Sequence, residues 1–135
     1  MKYILDTQAW IWSALDHPRL SRRARAALRA MTPAERAGLA AISLKEASWH
    51  LAHGRIVVDE AFGPWPVWLR AAAAAPNLEV VPLTVDIAIE SEHLGASFPA
   101  DPADRLIVAT ARVHDLTLIT SDGPIRKSHA VRTLW

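Results

Sequence analysis

The sequence predicts an α/β sandwich built on a mostly parallel central sheet. Short apolar runs suited to buried strands alternate with segments of helical period along the whole chain. Acidic residues stand at the ends of those runs or in the opening turns of the helices that follow, where open parallel sheets collect functional groups. The 135 residues contain no repeat, low-complexity tract or linker, so a single domain spanning 1–135 is expected.

Tyr3-Ile4-Leu5 reads as a buried first strand ending at Asp6. A helix follows with Trp10, Ile11, Ala14 and Leu15 on one face, stopped by His17-Pro18. Ser21 is a good N-cap for a second helix through Met31 that carries Arg22, Arg23, Arg25 and Arg29. Thr32-Pro33-Ala34-Glu35 has the capping-box pattern and an N1 proline, which predicts a short third helix. Leu39 to Ile42 is the predicted second strand. Ser43 then caps a helix with Leu44, Ala47, Ser48 and Leu51 at helical spacing, ended by Gly54. Ile56-Val57-Val58 reads as extended, and Phe62–Pro66 as a loop before a helix of Trp68, Leu69 and the alanine run, closed by Pro76. Leu78 to Val81 is the third strand, and Thr84 caps a helix ended by Gly95. A helix from Pro102 to His114, a strand from Leu116 to Ile119 and a short strand from Val131 to Leu134 complete the chain. The stretch Leu106–Val113 is apolar on nearly every side, so this helix should be the most enclosed.

Composition narrows the chemistry. With no cysteine, disulfides, thiolate zinc sites and cysteine nucleophiles are excluded. The N-terminal run meets Asp6 too soon for a secretory signal, and no uncharged apolar run approaches the roughly 20 residues of a membrane span. The expectation is a cytoplasmic protein without a membrane partner. Net charge is +1, and lysine occurs only at Lys2, Lys45 and Lys127. Arginine therefore supplies most of the positive charge, which suits phosphate recognition but equally suits solvated helix faces.

Four carboxylates from distant parts of the chain fall on one predicted rim: Asp6 after the first strand, Glu46 in the helix after the second, Asp104 opening the enclosed helix, and Asp122 after Leu118-Ile119-Thr120. Each has a structural explanation. Ser43–Glu46 has the form of a capping box, Asp101-Pro102-Ala103-Asp104 reads as N-cap, N1 proline and N3 acid, and Asp122-Gly123 suits a turn. Asp6 alone ends a strand with no evident capping task. Carboxylates gathered this closely repel one another unless a cation neutralises them. Hard oxygen donors select Mg2+ or Mn2+, ions that stabilise charge during displacement at a phosphodiester. Hydrolysis of a nucleic-acid strand fits best.

Other features carry less. His50 and His53 lie three apart on one helix without an accompanying metalloprotease pattern. No nucleophile elbow, phosphate-binding glycine loop or dinucleotide motif is present. Trp65 and Trp68 suit either base stacking, receipt of a partner segment, or plain core packing. The arginines at 22, 23, 25 and 29 suit phosphate attraction or solvation alike.

The segments Tyr3-Ile4-Leu5-Asp6-Thr7, Ser43-Leu44-Lys45-Glu46, Asp101 to Ala111 and Leu118-Ile119-Thr120-Ser121-Asp122 resemble, in order and separation, the PIN-domain ribonucleases, and among them the VapC type of bacterial toxin. The resemblance covers essentially the whole chain. It implies a PIN-like three-layer sandwich and a metal-dependent endoribonuclease, usually a homodimer, neutralised by a cognate antitoxin. It also implies that Asp6, Glu46 and Asp104 are the metal-binding catalytic acids and Asp122 the fourth, more variable one, with Thr7 and Ser121 as hydroxyl neighbours. Gln8 stands where the family often has Asn, and its longer side chain is left out of the site. The competing expectation is a PIN-like nucleic-acid- or protein-binding module without turnover.

Overall fold

The computed structural model describes residues 1–135. Five strands, β1 (Tyr3–Leu5), β2 (Ala37–Ala40), β3 (Leu78–Val81), β4 (Thr117–Ile119) and β5 (Thr133–Leu134), form one sheet in the order β3-β2-β1-β4-β5. Every pairing is parallel. The helices are α1 (Thr7–Ala14), α2 (Arg22–Arg29), α3 (Ile42–Ala52), α4 (Trp65–Ala73), α5 (Val85–Ser91), α6 (Pro102–Val113) and α7 (Gly123–Ser128). None is long and apolar enough to cross a membrane.

Alternation along the strands sorts the helices into two layers. Ile4, Ala40 and Leu118 pack with Ile107, Val108 and Ala111 of α6 and Ile125 of α7. Their neighbours Leu5, Leu39 and Ile119 pack on the other face, against Ala9, Trp10 and Ile11 of α1, Ala24 of α2 and Ala47 of α3. The result is a helix–sheet–helix sandwich. Six residues of α6 are buried, more than in any other helix, as its apolar circumference led us to expect.

Several elements differ from their sequence-based expectations. The second strand starts at Ala37, two residues early, because Ala37 N–H bonds Asn77 O at 2.9 Å and all four residues pair with β3. Gly38 is closely covered in this pairing: a Cβ there would sit 3.2 Å from Met1 Sδ and 3.5 Å from Ile4 Cγ1 on the neighbouring strand. Ile42 consequently opens α3 instead of closing a strand. The early strand also leaves no length for a helix at Thr32–Glu35, which is a turn. The Glu35 carboxylate still accepts from Thr32 N–H at 2.7 Å, so the capping pattern folds locally without a helix to cap. Ile56–Val58 forms no strand. Helix α4 begins inside the predicted loop, with Pro64 at the N-cap and Pro66 in its first turn. Helix α7 was not expected; Asp122 caps it and Pro124 sits in its first turn.

Candidate active site

The carboxyl ends of β1 and β4, adjacent in the sheet, bring Asp6 and Asp122 to one edge. Asp6 does have a capping task, contrary to the sequence reading: it is the N-cap of α1, and its Oδ1 accepts from Ala9 N–H at 2.7 Å. Its Oδ2 accepts a short hydrogen bond from the Thr120 hydroxyl. Only 9% exposed, this carboxyl is pushed up to about 6, chiefly by burial and further by the charges of Asp122 and Glu46. Asp122 caps α7 by accepting from Ile125 N–H at 2.9 Å, and its own N–H donates to Thr120 Oγ1 at 3.0 Å. Thr120 thus fastens the two acids together. It was missed in the sequence, although its place directly beyond β4 is a legible signal. Ser121, expected as the hydroxyl neighbour, is exposed.

Glu46 lies in the second turn of α3, not the first. Helix α3 starts at Ile42 with Ala41 as a cap that offers no side chain, so the Ser43–Glu46 capping box does not form. Ser43 and Glu46 both turn instead to Thr7, whose Oγ1 lies 2.9 Å from Ser43 Oγ and 2.6 Å from Glu46 Oε1. The carboxylate only accepts, so the single Thr7 proton goes to Glu46 and the Ser43 hydroxyl completes the set as donor. Ser43 and Thr7 are buried, which fixes Glu46 from below.

Asp104 follows its expected placement. Asp101 caps α6, accepting from Ala103 N–H at 2.8 Å and more weakly from Asp104 N–H at 3.4 Å, with Pro102 at N1. Asp104 occupies N3 and spends no oxygen on the helix. Its carboxyl is pushed up to about 7 by burial first, then by Asp101, Asp122, Glu46 and Asp6. The structure therefore brings the four predicted acids within electrostatic reach of one another. Gln8 is exposed, and His53 stacks on Trp49 while its Nδ1 lies 2.8 Å from Trp49 O. Trp68 is buried, Trp65 partly so. Arg25 of α2 pairs with Asp16.

No three His, Asp or Glu side chains form a ready-made coordination shell. Asp6, Glu46 and Asp122 each commit an oxygen to a hydroxyl or helix N-terminus. The donor set is nonetheless oxygen-only and mutually repelling, which suits a hard cation. Magnesium commonly keeps most of its waters and takes one or two carboxylates plus substrate phosphate, so it needs no closed protein cage.

The PIN domain family model matches residues 3–128. Ribonuclease VapC22 of Mycobacterium tuberculosis is 35% identical over 134 residues, covering 98% of this chain and 97% of its own. Among solved structures, VapBC2 from Rickettsia felis bound to a DNA fragment from their promoter superposes with a TM-score of 0.73 at 15% identity, covering 99% of this chain and 98% of its own. A toxin–antitoxin complex from Klebsiella pneumoniae gives 0.65 at 23% identity, with 96% and 95% covered.

Proposed function

The chain belongs to the PIN-domain family, and from that premise we propose that it is an Mg2+- or Mn2+-dependent endoribonuclease serving as the toxin of a toxin–antitoxin pair. The observation that carries this reading is the gathering of Asp6, Glu46, Asp104 and Asp122 at the carboxyl edge of the sheet, with Asp6, Glu46 and Asp122 anchored through the buried hydroxyls of Thr7 and Thr120. The ribonuclease relative and the toxin–antitoxin structures of the same fold support it.

The four carboxylates would hold the divalent ion. When bound, it supplies Lewis acidity toward a phosphodiester and the means to make water nucleophilic near neutral pH. Thr7 keeps Glu46 aimed at the rim, and Thr120 does the same for Asp6, so neither acid has to be reordered when substrate arrives. Without a cation, the Asp104 carboxyl holds its proton up to about pH 7, which limits the repulsion at the rim.

The antitoxin we assign to an apolar groove of about 300 Å³ between α1, α2 and α4, near the starts of β2 and β3, where Leu28 and Phe62 form the walls over the buried Trp10 and Trp68. A segment that continues from this groove across to the carboxyl edge of the sheet would bring a cationic side chain, Arg above all, to the acids of the rim. If antitoxin bound equally well after neutralisation of both Asp6 and Asp104, this direct plug would be ruled out.

Incubation with a mixed RNA pool tests the enzymatic reading. Cleavage that appears with Mg2+ or Mn2+ and stops with chelator is expected. RNA binding without cleavage under any metal would make the chain a binding module instead.

A further inference from the structure

We propose that a groove beside the acidic rim, between α1 and the end of α3, is the track for single-stranded RNA flanking the cleaved bond. This rests on the ribonuclease reading and adds to it the seat of the substrate. The groove encloses about 450 Å³. It starts where the site ends: Gln8 follows Thr7 on α1, and His50 lies four residues beyond Glu46 on the same face of α3.

Its charge is opposite to that of the rim. No Asp or Glu lines it, whereas Arg19, Arg55, His17 and His50 do. Neither arginine has an acidic partner, since the ion pairs of the molecule are made by Arg25, His93, Arg112 and Arg132. Arg55 instead lies over the Trp49 ring, 4.9 Å from its centroid, and both guanidinium groups are exposed. A polyanion whose reacting phosphate sits among carboxylates needs cationic seats for its neighbouring phosphates, and this groove offers two.

The groove also offers a stacking surface. The rings of Trp12 and His17 stack at 5.9 Å between centroids and 21° between planes, both partly exposed on its wall, and Trp135 extends the cluster 5.8 Å from Trp12. Aromatic faces of this kind accept any unpaired base, so sequence tolerance is expected along the track.

The test is fluorescence anisotropy with a short, mixed-sequence, labelled single-stranded RNA, in chelator so that no turnover occurs, across a salt series. Arg19→Ala/Arg55→Ala should weaken binding roughly tenfold and reduce the salt slope by about 1.4, at about 0.7 per lost phosphate contact. Arg19→Lys/Arg55→Lys should restore most of the slope, which separates lost charge from lost fold. Arg22→Ala/Arg29→Ala, removing equal charge from α2, should leave the slope near that of the wild type. Unchanged affinity and slope in the first double variant would overturn the track. The track would also fall if that variant lost binding to a protein partner while keeping RNA. Cleavage of the mixed RNA pool by the wild type is scored separately. A wild type that cleaves while Arg19→Ala/Arg55→Ala binds normally would remove the track alone, whereas a wild type that binds through these arginines without cleaving would remove the nuclease reading alone.

Discussion

Asp101 and Asp104 stand three residues apart on one helix start and do different work. Asp101 spends its carboxylate on the first turn of α6, so Asp101→Ala should cost about 1 kcal/mol of stability, while Asp101→Asn keeps the cap. Because the Asp101 charge helps to raise the Asp104 carboxyl, Asp101→Asn should also bring the Asp104 titration in chelator to lower pH. Melting curves and carboxyl titration by NMR check both outcomes. The Asp6 and Asp104 carboxyls bring a sign of their own. Their ordinary value is 3.8, and the fold raises them to about 6 and about 7. Between about pH 4 and 7 the folded state therefore binds more protons than the unfolded chain, so metal-free stability falls as pH rises through that window. In chelator, the melting temperature should be higher near pH 5 than near pH 8, and Asp104→Asn should narrow the difference. A wider difference in that variant would contradict the assignment. The sequence revealed the Asp101–Asp104 division because proline at N1 fixes the register. It misled at Asp6 and Ser43, because a helix starting directly at Thr7 and another starting at Ile42 leave no local trace in residue type.

At the scale of elements, α6 is the hub that the apolar run from Leu106 predicts. Ile107, 1% exposed, packs with Ile4, Ala40 and Leu118, so Ile107→Ala should destabilise by about 2–5 kcal/mol as read by denaturant unfolding. A loss well below that range would mean that the site rests on some other support. Elements with one strong local signal, such as the Thr84 cap of α5 or the Pro102 start of α6, were legible. Those decided by the sheet were not. Ala37 and Gly38 are poor strand formers by type, and they join β2 because β3 pairs with both and β1 with Gly38. Ile56–Val58 has strand-like residues but pairs with neither edge strand of the sheet, and Val57 remains 82% exposed.

For the whole molecule, the alternation of strands and helices was enough to fix the layered class, while the contact between distant segments was not visible in any one of them. Thr7 with Glu46 and Thr120 with Asp6 join residues 39 and 114 positions apart. Leu83, Val85 and Ile89 are all more than half exposed on or beside α5. Val85 and Ile89 stand one turn apart on α5 with Leu83 just before it, an apolar face that the homodimer implied by the resemblance would cover. Light scattering should therefore give a dimer that Ile89→Asp converts to monomer; a wild-type monomer at the concentrations of the assay would rule it out. The central claim is that four carboxylates act as one metal-dependent catalytic centre. The most direct measurement is the RNA cleavage rate of Asp104→Asn against wild type at saturating Mn2+, with melting curves confirming that both are folded. The expected result is a loss of at least about a hundredfold in the variant, the order of effect seen when a charge-stabilising group is removed. A folded Asp104→Asn protein cleaving at the wild-type rate would contradict it.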